Sequence, residues 1–130
     1  MKNKMINEAI FNKESDSQIK LLELFIDFAS KFLGIKKPKV TLKFKHEGLT
    51  TTASYGDYKI KVYAKDRAMV DIMRSTAHEM VHLKQDVEGR LDDSNHDSNN
   101  AAGSPIENEA NSVAGQIIRK FGEEHPEIYP

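Results

Sequence analysis

The run His78-Glu79-Met80-Val81-His82 has the form H-E-x-x-H, and it falls in a stretch, about Asp66 to Glu88, whose apolar residues recur with a helical period. Two histidines four residues apart on a helix stand one above the other on the same face, so their imidazoles can converge on one cation. Imidazole nitrogen is a favoured ligand of Zn2+, and a catalytic zinc takes three protein ligands and keeps one position open. Glu79 projects to the side of the pair, where a carboxylate can take a proton from a zinc-activated water and hand it to a leaving group. The chain contains no cysteine, which excludes disulfides, thiolate ligands and a cysteine nucleophile, and leaves histidine and carboxylate to hold any metal.

On a helical wheel Met69, Ile72, Met73, Thr76, Met80, Leu83 and Val87 share one face, whereas His78 and His82 fall on the opposite side with Asp71, Ser75 and Gln85. The two histidines are therefore not expected on an apolar core stripe. A third ligand has to come from elsewhere, and the segment Ile106-Glu107-Asn108-Glu109-Ala110-Asn111 offers two carboxylates on a later helix. Ser104, Pro105 and Glu107 fit a capping box, with Ser104 at the N-cap, Pro105 at the first helical position and Glu107 folding back to the N-cap amide. Glu109 lies at the edge of the stripe Ile106, Ala110, Val113, Ala114, Ile117 and Phe121. Glu109 is thus the expected third ligand, with Glu107 as the alternative.

The elements that must position these residues are legible as an α+β chain with an N-terminal helix, a small and mostly antiparallel sheet, the H-E-x-x-H helix and a C-terminal glutamate helix. From Ser15 the residues Ile19, Leu21, Leu22, Leu24, Phe25, Phe28, Ala29 and Phe32 form a broad apolar helical face, stopped by Gly34 and Pro38. Val40, Leu42 and Phe44 alternate with polar residues, as do Tyr58, Ile60, Val62 and Ala64, so both stretches read as strands with one wet face. The threonine-rich Leu49 to Tyr55 is a candidate third strand between the turns at Gly48 and Gly56-Asp57. Residues Arg90 to Gly103 are dominated by Asp, Asn, Ser and Gly and read as a long loop, a candidate lid or self-cleavage site. The last helix is expected from Ser104-Pro105 to about Phe121-Gly122. With 130 residues, 38% of them apolar, the chain is expected to form one domain over 1–130, its core spanning about 15–122 and an extended tail 123–130.

The run S-T-A-H-E-M-V-H-L-K-Q, the polar stretch after it and the later E-N-E-A-N-S-V-A-G-Q-I-I together resemble the short gluzincin metallopeptidases, most closely the ImmA/IrrE-like group. That resemblance spans about Ser15 to Phe121. It implies a minimal zincin core, His78, His82 and Glu109 as zinc ligands, Glu79 as general base, and an extended peptide or protein substrate paired along the strand Tyr58 to Ala64. Larger gluzincins carry an aspartate four residues after the ligand glutamate to orient a histidine; here that position is Val113, so the orienting partner must lie elsewhere. The family also stabilises the oxyanion with a histidine, tyrosine or arginine. His96 is the first candidate, followed by Tyr55, Tyr58 and Tyr63, each of which reads equally as an ordinary loop or sheet residue.

The expected function is zinc-dependent hydrolysis of peptide bonds. The alternative is a catalytically silent, zinc-containing domain that binds a protein partner on a peptidase scaffold. A formal net charge of -1 with both signs interspersed excludes an electrostatic case for nucleic acid or an anionic membrane. Lys36, Lys37, Lys39, Lys43 and Lys45 lack interleaved aromatics and read as a solvated strand face. No sustained apolar run follows the lysines of Met1 to Lys13, so neither a secretory signal nor a membrane helix is expected there, and a cytoplasmic protein is. Short proteins of this layout occur in bacteria and phages, which for a phage-encoded chain means the host cytoplasm. His46 and His125 read as surface residues.

Overall fold

Helical periodicity in residues 16–33 is realised as α1 (Asp16–Leu33), the first helix among the residues that the computed structural model describes, 10–45, 53–56, 58–90 and 104–128. Ser15 caps it by accepting the Gln18 backbone N–H, and Gly34, at φ 69°, ends it with hydrogen bonds from Gly34 N to Lys31 O and from Ile35 N to Ser30 O. The left-handed backbone at Gly34 is what a side chain would strain, so glycine is required at this turn. The buried face is Leu22, Phe25, Ile26, Ala29, Ser30 and Leu33. It is narrower than the sequence suggests, because Leu24 is 51% exposed and Phe32 39%.

Three strands follow: β1 (Lys39–Lys43), β2 (Ala53–Gly56) and β3 (Lys59–Tyr63). The sheet order is β1-β3-β2, with β3 parallel to β1 (Val40 opposite Ile60) and antiparallel to β2 (Tyr55 opposite Ile60). The expectation of a mostly antiparallel sheet is corrected here: β2 carries the chain back and β3 then inserts between it and β1. Tyr58, expected within the strand, forms the turn before β3 at φ 61°, and its hydroxyl donates to the Lys36 carbonyl. Alternation behaves as expected in β3, where Ile60 and Val62 are fully buried and Lys59 and Lys61 are exposed.

β3 feeds α2 (Met69–Val87) through a turn tied together by Arg67, whose guanidinium donates to Tyr63 O at 2.7 Å, Asp71 O at 3.0 Å and Ser75 Oγ at 2.8 Å. The face Met69, Ile72, Met73, Thr76 and Met80 is buried against α1 and the sheet, as its period requires. Val87, placed on that face by the wheel, is 63% exposed at the helix end. The opposite, polar side of α2 is also covered: α3 (Pro105–Glu124) makes the most extensive element pairing in the molecule with α2. α3 buries Ala110, Ala114, Ile117, Ile118 and Phe121, and the Phe25 ring meets Phe121 edge-on at 5.1 Å.

The chain end is more ordered than an extended tail. α3 runs to Glu124, and a 3-10 turn over Pro126–Ile128 buries Ile128. His125, expected at the surface, is half-buried with its ring stacked 4.4 Å from that of Phe121. Among the described residues no helix is long and apolar enough to cross a membrane.

Candidate metal centre

The i, i+4 spacing on α2 brings His78 Nε2 and His82 Nε2 to 3.1 Å, with the ring planes at 84°. Into this pair comes one carboxylate from the first turn of α3. Glu107 Oε1 lies 3.1 Å from His78 Nε2, and Glu107 Oε2 lies 3.0 Å from His82 Nε2. Glu79 stands beside the cluster, Oε2 3.8 Å from His78 Nε2, and the ligand atoms of His78, Glu79 and His82 all lie within 4.8 Å of one another. The side chains are sheltered, at 22% exposure for His78, 7% for His82, 13% for Glu79 and 18% for Glu107.

Glu109, the expected third ligand, is elsewhere. Its Oε1 accepts from Gln85 Nε2 at 2.8 Å, and the Arg90 guanidinium grips both oxygens at 2.8 and 3.1 Å. The reason is helical geometry. Glu107 precedes the buried Ala110 and Ala114 by three and seven residues and so extends the stripe that packs on α2, whereas Glu109 is rotated about 200° from Glu107 around the helix axis. Ser104 Oγ accepts from Glu107 N at 3.2 Å, as the capping box requires, and the Glu107 carboxylate faces the two histidines.

Each imidazole nitrogen thus lies 3.0 to 3.1 Å from the other and from one oxygen of the same carboxylate. A tetrahedral ion with ligand bonds near 2.0–2.1 Å spaces its ligand atoms by roughly 3.3 Å. The residues are of the types that ligate a small divalent cation, and their nitrogen and oxygen atoms lie close enough together to share one. Electrostatics act in the same direction. Burial, then the neighbouring His82, hold the His78 pKa below its ordinary value against the opposing pull of Glu107 and Asn111, so His78 favours the neutral form that ligates a metal. Burial foremost, with a further contribution from Glu107 and opposed by His82, raises the Glu79 pKa.

Three residues of this site had no role assigned from sequence. Gln85, fully buried, places its Oε1 2.8 Å from His82 Nδ1. Arg90 braces Glu109, and Asn111, one turn beyond Glu107, hydrogen-bonds the His78 side chain. Gln85 shares the histidine face on the wheel, so its position was readable even though its partner was not. Of the candidate oxyanion donors, His96 lies outside the described residues, as does His46; Tyr55 belongs to β2, and Tyr58 commits its hydroxyl to Lys36. Tyr63 is half-buried at the end of β3. The stretch 91–103 is likewise outside the described residues.

Substrate pairing along Tyr58 to Ala64 needs correction, because β3 is the central strand and both its backbone edges are already used. Among the described residues the strands paired on one side only are β1 and β2, and β2 is the one that packs against α2. Comparison of the chain with protein families, with curated proteins and with solved structures returned no match.

Proposed function

We propose that this protein is a zinc-dependent peptidase, with His78, His82 and Glu107 as metal ligands and Glu79 as the general base. The observation that carries the reading is the closure of Glu107 from α3 onto both imidazoles of α2, with the sheltered Glu79 carboxyl alongside. Zinc bound there supplies Lewis acidity, which polarises a carbonyl and makes water nucleophilic near neutral pH. Glu79 takes the proton released as water attacks and delivers it to the departing amine, a task matched to a carboxyl whose pKa burial has raised. His78, held in its neutral form by burial and by the neighbouring His82, offers a lone pair rather than a proton. An extended peptide is proposed to add to the outer edge of β2, where main-chain hydrogen bonds would hold the scissile bond alongside α2.

The test is Glu79→Gln, an isosteric change that keeps shape and removes the base. Zinc content measured by elemental analysis should stay at the wild-type value, and cleavage of a degenerate peptide library, read by mass spectrometry, should fall roughly 100- to 10,000-fold. Equal cleavage by the variant would remove Glu79 from the mechanism. A wild type that holds zinc and cuts nothing in the library would favour the zinc-containing binding domain.

A further inference from the structure

His82 is seated through its second ring nitrogen. Nδ1 lies 2.8 Å from Gln85 Oε1, while the amide nitrogen of Gln85 donates to Glu109 Oε1 at 2.8 Å and to the Ile106 carbonyl at 3.2 Å. Both of those partners can only accept, so the amide cannot be turned over: its NH2 end faces them and its carbonyl end faces His82. A carbonyl in turn can only accept, which puts a proton on Nδ1 of His82 and leaves Nε2 as the nitrogen that can ligate. That nitrogen is the one facing His78 and Glu107.

Glu109 is braced in its turn. Gly89, at φ 74°, reverses the chain after α2, and the Arg90 backbone N–H donates to the Gln85 carbonyl at 2.8 Å. This turn sets the Arg90 guanidinium against both Glu109 oxygens. Arg90, Glu109, Gln85 and His82 thus form one directed chain, with each donor and acceptor determined by its neighbour.

We propose that Gln85 and Glu109 are positioning residues for the metal centre: Glu109, held by Arg90, orients the Gln85 amide, and Gln85 fixes His82 as the tautomer whose Nε2 can ligate. The inference rests on reading the cluster as a metal site, and it gives Glu109 a part in that site without making it a ligand. Turning the amide over would aim an N–H at Nδ1 and drive the ring proton to Nε2, where it would block the metal. Because the Ile106 carbonyl is a second anchor for the amide, losing Glu109 should matter less than losing Gln85.

The experiment has two readouts. A long-range 1H–15N correlation spectrum of the metal-free protein should show His82 with a protonated, pyrrole-type Nδ1, and Glu109→Ala should shift part of that population to the form protonated on Nε2 alone. Zinc affinity, measured by competition with a chromophoric chelator, should fall roughly 10- to 100-fold in Gln85→Leu. It should fall less in Glu109→Ala, and in the double variant no further than in Gln85→Leu alone. A pyridine-type Nδ1 in the wild type overturns the proposal whether or not zinc binds, and so does unchanged affinity in both single variants of a zinc-binding wild type. Losses that multiply in the double variant would show that Glu109 does not act through Gln85. If Gln85→Leu does not fold, the wild-type spectrum and the half-exposed Glu109→Ala decide the matter. A wild type that binds no zinc but shows the expected tautomer removes the metal reading and leaves the orienting chain in place.

Discussion

α2 is buried on two sides that share almost no chemistry. Toward α1 and the sheet it presents Met69, Ile72, Met73 and Met80, groups that need only be apolar and of the right volume. Toward α3 it presents His78, His82 and Gln85, which meet Glu107 and Glu109. Burying polar groups of this kind is costly unless each finds a partner, and among the described residues no buried side-chain nitrogen or oxygen lacks one. An apolar α2–α3 seam would hold the helices together at least as well. A polar seam this fully partnered therefore points to work other than cohesion, and the two sides should respond differently to perturbation.

The largest expected effect on stability lies on the apolar side. Phe121 is 1% exposed and lies edge-on to Phe25 and Phe28, so Phe121→Ala should cost about 3–5 kcal/mol in equilibrium urea unfolding. Its folded fraction should still bind zinc one to one. A negligible cost would mean that the apolar seam is not what closes the core.

Next comes the metal itself. Zinc at 100 times its dissociation constant should stabilise the wild type by about 2.7 kcal/mol. Glu107→Leu should lose that rise altogether, while its metal-free melting changes far less than that of Phe121→Ala. Glu109→Leu should keep a reduced rise, and the opposite ranking of the two glutamates would return the ligand role to Glu109.

The smallest effect separates position from cohesion. Ser104→Ala removes the cap on the Glu107 amide and should cost about 1 kcal/mol of stability. It loosens the turn that carries Glu107, so zinc affinity should drop by more than a comparable cap loss at Ser15, remote in sequence from the site. Equal effects of the two cap variants on affinity would show that the first turn of α3 does not set the ligand.

What could be read in advance was whatever a periodicity or a local motif encodes. The spacing of His78 and His82, the Ser104-Pro105 start of α3, the Gly34 stop and the inward alternation of Ile60 and Val62 all depend on neighbours within a turn or a pleat. Strand direction does not, since a period of two is common to parallel and antiparallel pairing, and the insertion of β3 beside β1 left no local trace. A capping-box role for Glu107 favours Glu109 as the carboxylate turned to the histidines, yet it is Glu107 that lies against them. Continuing the stripe Ala114, Ala110 one turn back would have reached Glu107. A helical wheel sets the histidines of α2 apart from its apolar stripe, but it reports sidedness and not what covers each side.

Glu107 occupies the first turn of α3, at the positive end of the helix dipole, which offsets part of its negative charge before any ion arrives. The cluster therefore attracts cations less by net charge than by what its two imidazoles can donate. On the metal reading proposed above, calcium and magnesium, which seek six or more oxygens, would find only Glu107 and Glu79 beside two imidazoles, a set better suited to an ion content with nitrogen and low coordination. On that proposal, selectivity among divalent ions would be built into where one helix begins.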